Sequence, residues 1–101
     1  MPFSYTVDQS RATLSLSGEL GHHEAISIMS GIADTIEAEL PAQVVLDLSG
    51  LSFMDSSGIA VIVQANRKCR EIGASLEVHG TPHQAMRILK AAGIDKAVTF
   101  K

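Results

Sequence analysis

The order of apolar and polar positions along the chain predicts two adjacent strands followed by helices that alternate with strands. At the start, two runs alternate apolar and polar residues around a polar turn, which is typical of a β-hairpin with one buried face. Three longer segments repeat apolar residues every three or four positions, the spacing of an amphipathic helix, and short apolar runs separate them. The predicted strands are Phe3 to Val7, Ala12 to Leu16, Val44 to Leu48, Leu76 to His79 and Ala97 to Phe100, and the predicted helices span His22 or His23 to Leu40, Ser57 to Glu71 and Pro82 to Ala92.

Proline, glycine and threonine mark the ends of the predicted helices. Pro41 ends the first helix, because proline cannot donate the backbone hydrogen bond that a helix interior requires. Gly73 is expected to end the second helix as its C-cap. Thr81 is expected to cap the third helix, with Pro82 as the first helical residue and Gly93 at the end. These boundaries give the order β-β-α-β-α-β-α-β.

This order predicts the α/β fold class. Strands separated by helices pair in parallel, and the first hairpin adds an antiparallel edge, so we expect a single mixed, mostly parallel sheet packed against helices. The chain has 101 residues, and 46% of them are hydrophobic, which is enough for a core. We therefore expect residues 1–101 to form one domain.

Charge and composition exclude several classes of function. The formal net charge is −3, whereas a nucleic-acid-binding domain usually has a basic face. The single cysteine excludes an internal disulfide and a multi-cysteine metal site. No secretory signal or long membrane span is apparent in the sequence. We expect a cytoplasmic protein with no nucleic-acid or membrane partner.

The segment between the third predicted strand and the second predicted helix carries the candidate chemistry. Asp55, Ser56 and Ser57 lie where this helix begins. A serine at a helix N-terminus tolerates a phosphate well, because free backbone N–H groups and the positive end of the helix dipole face it. The same residues also suit a simple N-cap. From the residues alone, a phosphorylation site and a helix cap both remain open.

Several segments together resemble the STAS domain, the fold of bacterial anti-sigma factor antagonists. The most specific segment is the Phe-Met-Asp-Ser-Ser-Gly run at 53–58, and the others are mainly apolar pattern. The double histidine after Gly-Glu-Leu makes the chain most similar to the antagonists of the sporulation sigma-F branch. The segments are Gly18-Glu19-Leu20 with His22-His23, Val45-Leu46-Asp47-Leu48, Leu51 to Ile59, Met86-Arg87-Ile88-Leu89 and Ala92-Gly93-Ile94.

The resemblance implies a regulatory binding protein that is not an enzyme and needs no cofactor. An unphosphorylated antagonist of this family binds an anti-sigma factor that is also a serine kinase, and binding frees the sigma factor. The kinase then phosphorylates the serine directly after the motif aspartate, which is Ser56 here. A metal-dependent serine phosphatase resets the system. The resemblance also implies a monomer when the protein is free.

Residues around Ser56 are expected to face the partner. Ser57 is the second candidate for the phosphorylated serine, although it suits a helix cap better. Gly58 would either let a partner approach closely or permit tight helix–strand packing. The family usually has Asp after Gly-Glu-Leu, where this chain has Gly21, which affects either partner binding or the rate of phosphorylation. The expected partner-binding residues are Glu19, Gly21, His22, His23, Met54, Asp55, Ser57 and Gly58.

Two other functions use the same residues. A STAS module in a stressosome or lipid-transport assembly would use the fold only as an interaction surface, and Gly21 favours this alternative. A serine hydrolase would need Ser56 paired with His22 or His23 and an oriented carboxylate, but the Gly-x-Ser-x-Gly elbow is missing. Metal binding by the histidines lacks further ligands at zinc-like spacing. We therefore expect no metal site.

Overall fold

The computed structural model describes residues 3–101, which form a five-stranded sheet, three α-helices and one short 3-10 helix. The elements follow one another in the predicted order, so the α/β prediction is confirmed. The strands are β1 Phe3–Asp8, β2 Arg11–Leu20, β3 Gln43–Met54, β4 Ser75–His79 and β5 Thr99–Phe100. The helices are α1 His22–Glu39, α2 Ser57–Ile72 and α3 His83–Ala91, and the 3-10 helix is Ile94–Lys96.

The sheet is mixed, as predicted. Its spatial order is β1-β2-β3-β4-β5, with β1 antiparallel to β2 and the other neighbours parallel. Each parallel connection after β2 contains a helix, because parallel neighbours need a crossover. The apolar residues of the strands and helices form one buried cluster. Leu14, Leu46 and Val78 lie at the centre of the sheet and are fully buried.

The two central strands are longer than the sequence pattern predicts. β2 continues to Leu20 and β3 to Met54, and they stay paired through two register shifts. The first shift lies beside Gly50, where a Cβ would come within 3.0 Å of the Leu16 carbonyl oxygen. Gly18 has a φ of +79° at the second shift, a conformation that favours glycine. These irregularities interrupt the alternation from which β2 was predicted, and the apolar run from which β3 was predicted ends at Leu48.

The helix ends agree with the prediction except at α3. Gly73 ends α2 in the left-handed conformation, as predicted. α3 begins one residue later than predicted, because Pro82 has an extended ψ of 152° and occupies the N-cap position. The Thr81 hydroxyl therefore does not cap the helix, and its oxygen is buried without a hydrogen-bond partner. The predicted last strand is also shorter, since it pairs only at Thr99–Phe100.

Membrane crossing by a helix finds no support among residues 3–101. None of their helices combines the length and the apolar character that a bilayer span requires.

Candidate functional site

The starts of α1 and α2 lie side by side at one edge of the sheet. β2 and β3 run in parallel and end together, with Leu20 opposite Met54. The backbone N–H of Asp55 then donates a 3.1 Å hydrogen bond to the Leu20 carbonyl oxygen. α1 begins at His22 and α2 at Ser57, only two or three residues beyond the paired strand ends. Two loops that are distant in sequence therefore form one surface.

The side chain of Asp55 caps the start of α2. Its Oδ1 accepts a 2.8 Å hydrogen bond from the backbone N–H of Ser57, an arrangement known as an Asx turn. Ser56 occupies the N-cap position with a φ of −64° and a ψ of −15°, and its side chain makes no capping hydrogen bond. Ser56 is exposed, whereas Ser57 is partly buried as the first residue of the helix. The capping role predicted for Ser57 is therefore wrong, because Asp55 performs it.

Met54 and Gly58 belong to the interior and not to the partner-facing surface. Met54 is fully buried, which contradicts its predicted exposure. A Cβ on Gly58 would lie 2.3 Å from Met54 Sδ and 2.5 Å from its Cγ. Gly58 is thus required by helix–strand packing, the second of the two roles considered for it. The large apolar residue exposed at this strand end is Phe53, which is 48% exposed.

Gly21 lies between two carboxylates. Its backbone N–H donates a 3.0 Å hydrogen bond to Oε1 of Glu24, which satisfies one free donor at the start of α1. A Cβ at this position would lie 3.1 Å from that oxygen and 3.5 Å from Oδ2 of Asp55. An aspartate at position 21 would therefore add a third carboxylate to this group. The departure from the family pattern lies directly beside Asp55 and Ser56, which join β3 to α2 and are called the serine loop below.

The other predicted partner-binding residues differ in exposure. Glu19, His22 and His23 are exposed, and the two imidazole rings lie edge to face with 6.1 Å between their centroids. Gly21 and Asp55 are partly buried. The structure thus brings the two predicted segments together.

Gln84 is a further residue at this site, and the sequence pattern gave no signal for it. Its Nε2 donates a 2.7 Å hydrogen bond to the Met54 carbonyl oxygen. Its Oε1 accepts a 3.0 Å hydrogen bond from the Met54 backbone N–H. A glutamine near the start of an amphipathic helix is ordinary surface composition, so only the tertiary structure reveals this contact.

Other reactive side chains in residues 3–101 do not join this site. Burial raises the pKa of the Cys69 thiol to about 11, so the thiol stays protonated and unreactive near neutral pH. Among the described residues, no histidine forms a hydrogen bond with Ser56. The same residues contain no group of three or more His, Cys, Asp or Glu side chains suited to a metal ion.

A model of one protein family matches the described part of this chain. The sequence model of the STAS domain matches residues 3–101. A relative from Paenibacillus polymyxa, described as an anti-sigma F factor antagonist, is 32% identical over 81 residues. The match covers 80% of this chain and 69% of that relative.

Two solved structures share the fold. The unphosphorylated form of the anti-sigma factor antagonist SpoIIAA superposes with a TM-score of 0.83 at 21% identity, over 98% of this chain and 87% of that one. The phosphorylated form of the Bacillus cell fate determinant SpoIIAA gives a TM-score of 0.75 at 21% identity, over 98% of this chain and 90% of that one. At such identities the likeness concerns the fold.

Proposed function

The chain belongs to the STAS domain family, and on this basis we propose that it is an anti-sigma factor antagonist that acts by partner switching. Its unphosphorylated form binds an anti-sigma factor that is also a serine kinase, and binding frees a sigma factor. Phosphorylation of Ser56 releases the antagonist, and a metal-dependent serine phosphatase restores it. The protein acts in the cytoplasm and supplies a binding surface and an acceptor hydroxyl, while its partners supply the catalysis.

The observation that carries this proposal is the state of the Ser56 hydroxyl. Ser56 is exposed at the N-cap of α2, yet its side chain makes no capping hydrogen bond. Asp55 supplies the capping oxygen in its place. A serine used only to cap the helix would be engaged with the backbone. The free hydroxyl can instead enter the active site of a kinase without any loss of structure.

The position of Ser56 also suits a change of charge that leaves the fold intact. A phosphate adds about −1.5 to −2 charges at neutral pH. At the start of α2, the helix dipole and the free N–H groups favour such an anion. The adjacent Asp55 carboxylate makes the same surface more acidic. Phosphorylation is thus expected to block docking by charge and bulk.

The test is to map phosphate on the protein purified from its native cells during growth, starvation and stress. Mass spectrometry is applied to the wild type, to Ser56→Ala and to Ser57→Ala as the matched control. We expect a fraction of wild-type molecules to carry phosphate on Ser56, phosphate on the same residue in Ser57→Ala, and none in Ser56→Ala. Because Ser57 is the neighbouring hydroxyl, this pair separates the two candidate serines.

A separate affinity experiment with the same variants identifies the partner. Ser56→Ala should retain the anti-sigma factor on an affinity column when ATP and Mg²⁺ are added, whereas the wild type should release it. Phosphate on Ser57 alone would contradict the assignment of Ser56. Absence of phosphate under every condition would favour an interaction module without a switch, the alternative that the departure from the family pattern at Gly21 favours.

A further inference from the structure

The last part of β3 has a strand neighbour on only one side. Pairing between β3 and β4 ends at Asp47 opposite His79, while β3 continues to Met54. On the other side, β2 accompanies β3 to its last residue. Met54, the last residue of β3, is fully buried, so those of its backbone groups that no strand pairs need other partners. Among the described residues, the side chain of Gln84 in α3 supplies them.

The side-chain amide of Gln84 replaces the missing strand at Met54. A carboxamide has one acceptor oxygen and two N–H donors. Gln84 uses its acceptor and one donor on the backbone of Met54. The Met54 N–H donates to Oε1 at 3.0 Å, and Nε2 donates to the Met54 carbonyl oxygen at 2.7 Å. These two bonds reproduce the exchange that two residues make in a hydrogen-bonded pair of an antiparallel ladder. Both bonds are partly buried.

Met54 is consequently held from three directions just before the serine loop. Its backbone is paired with Leu20 of β2 and with Gln84 of α3, and its side chain fills the space above Gly58. Asp55, which caps α2, is the next residue, and Ser56 follows it. A displacement of Met54 would therefore move both the capping carboxylate and the acceptor hydroxyl.

We propose that Gln84 is the positioning residue of the serine loop, and that its amide fixes the backbone from which Ser56 is presented to the kinase. This inference rests on the proposed function. Gln84 does not touch the reacting atoms; it acts through Met54. Without the amide, two partly buried backbone groups lose their partners, and the end of β3 opens more often. The kinase then meets the loop in a productive geometry less often, so the maximal rate falls more than the apparent affinity.

The first test measures the two hydrogen bonds between Gln84 and Met54, called the clamp below, without any kinase. Amide hydrogen exchange at Met54 is followed by NMR in the wild type, in Gln84→Ala and in Arg87→Ala, a control at an exposed position of the same helix. Exchange of this amide is expected to be about tenfold faster in Gln84→Ala and unchanged in the control. Equal protection of Met54 in all three proteins would overturn the proposal.

The variant Gln84→Glu tests whether both hydrogen bonds matter. Its carboxylate has nearly the shape of the amide, but when ionised it cannot donate to the Met54 carbonyl oxygen. Protonation below about pH 4.3 restores the donor. Protection of Met54, measured relative to Arg87→Ala at each pH, should be low at neutral pH and recover in acid. If the protection of the Met54 amide in Gln84→Glu did not recover in acid, the clamp of two hydrogen bonds would be contradicted.

The second test measures the consequence for phosphorylation. Initial rates at Ser56 are measured at varied concentrations of each protein, with a fixed amount of native-cell extract and ATP. Gln84→Ala is expected to lower the maximal rate about three- to tenfold, with little change in the half-saturating concentration. If amide exchange at Met54 were faster in Gln84→Ala but the rate of phosphorylation at Ser56 were unchanged, the positioning role of Gln84 would be overturned. A wild type that accepts no phosphate would refute the proposed function, and the exchange data would still report on the clamp.

Discussion

At the scale of single residues, the serine loop divides two tasks between neighbours. Asp55 stabilises the start of α2 through its hydrogen bond to the Ser57 N–H, and Ser56 leaves its hydroxyl free. Asp55→Ala is therefore expected to lower the free energy of unfolding by about 1 kcal/mol. Ser56→Ala should change it by less than about 0.5 kcal/mol. Urea unfolding of both variants checks this, and equal losses would mean that Ser56 also contributes to the cap.

The close contact between Gly58 and Met54 predicts a steric penalty. A Cβ at position 58 would come within 2.3 Å of the Met54 sulfur. Gly58→Ala is expected to lower the free energy of unfolding by about 1–3 kcal/mol, although alanine by itself favours a helix by about 1 kcal/mol over glycine. Urea unfolding in a double-mutant cycle is the measurement. The substitution should cost less when Met54→Ala is already present, and strict additivity would contradict the contact.

Gly21 predicts an electrostatic effect that depends on salt. Its φ of −109° allows any residue, and a side chain there would lie beside Glu24 and Asp55. Gly21→Asn and Gly21→Asp both supply a capping oxygen to α1, but only the aspartate adds a like charge. Thermal unfolding should show Gly21→Asp to be less stable than Gly21→Asn at low ionic strength, with the gap narrowing at about 1 M salt. If the difference in stability between Gly21→Asp and Gly21→Asn did not depend on salt, repulsion between carboxylates would be excluded as its cause.

At the scale of elements, the paired end of β2 and β3 shows where sequence patterns lose information. The nearly continuous apolar run from Val44 to Leu48 correctly predicts the first part of β3, where Val44, Val45 and Leu48 are all buried. The register shifts then change which residues point inward. Met54 is buried and Phe53 is exposed as a result, the reverse of what was predicted for Met54. An interrupted alternation cannot be followed without the partner strand.

A cluster around Glu77 links β4 to Lys101, the residue that follows the short strand β5. The Glu77 carboxylate lies 2.9 Å from His79 Nε2 and 3.3 Å from Lys101 Nζ, and β5 pairs with β4 over only two residues. The hydrogen bond from His79 and then that from Lys101 lower the pKa of Glu77. A carboxyl group with a lowered pKa in the folded state stabilises the fold above its unfolded pKa of about 4.3. This contribution is lost as the pH falls through the folded value.

Glu77→Gln should therefore reduce stability at neutral pH and have less effect in acid. The measurement is urea unfolding of the wild type and the variant between about pH 3 and pH 7, where the difference between them should grow with pH. Asp47, whose pKa is lowered chiefly by hydrogen bonds from Ser49, is present in both proteins and cancels. The exposed carboxylate variant Asp34→Asn serves as the control. A difference in stability that stayed constant with pH would show that the contacts of Glu77 with His79 and Lys101 add nothing.

At the scale of the whole molecule, local patterns determine the order of elements but not every contact between them. The hairpin, three amphipathic helices and apolar strands follow from periodicity, because each repeats its signal over several residues. The Gln84 contact does not, since it joins α3 to the end of β3 across 30 residues of sequence. The role of Asp55 as the cap likewise depends on the backbone angles of Ser56. What could not be predicted is concentrated at the candidate site, where specific polar contacts outweigh apolar pattern.

The whole-molecule prediction is that the switch changes the surface and leaves the fold unchanged. Phosphorylation at Ser56, as proposed, would move the net charge from −3 to roughly −5. Ser56→Asp adds part of that charge, and Ser56→Asn adds similar bulk without it. Both variants should keep the wild-type circular dichroism spectrum and unfold within about 1 kcal/mol of it, because the start of α2 accommodates an anion.

Binding then distinguishes charge from bulk as the cause of release. The probe is the anti-sigma factor retained by Ser56→Ala, and its affinity for each variant is measured by calorimetry at low and high salt. If charge dominates, Ser56→Asn binds nearly as well as Ser56→Ala, and salt partly restores the binding of Ser56→Asp, because screening weakens repulsion between exposed charges. If bulk dominates, both variants bind weakly at every salt concentration. A Ser56→Asp protein that bound as tightly as Ser56→Ala at low salt would contradict release by either cause, since the acidic group and its volume would both lie outside the contact surface.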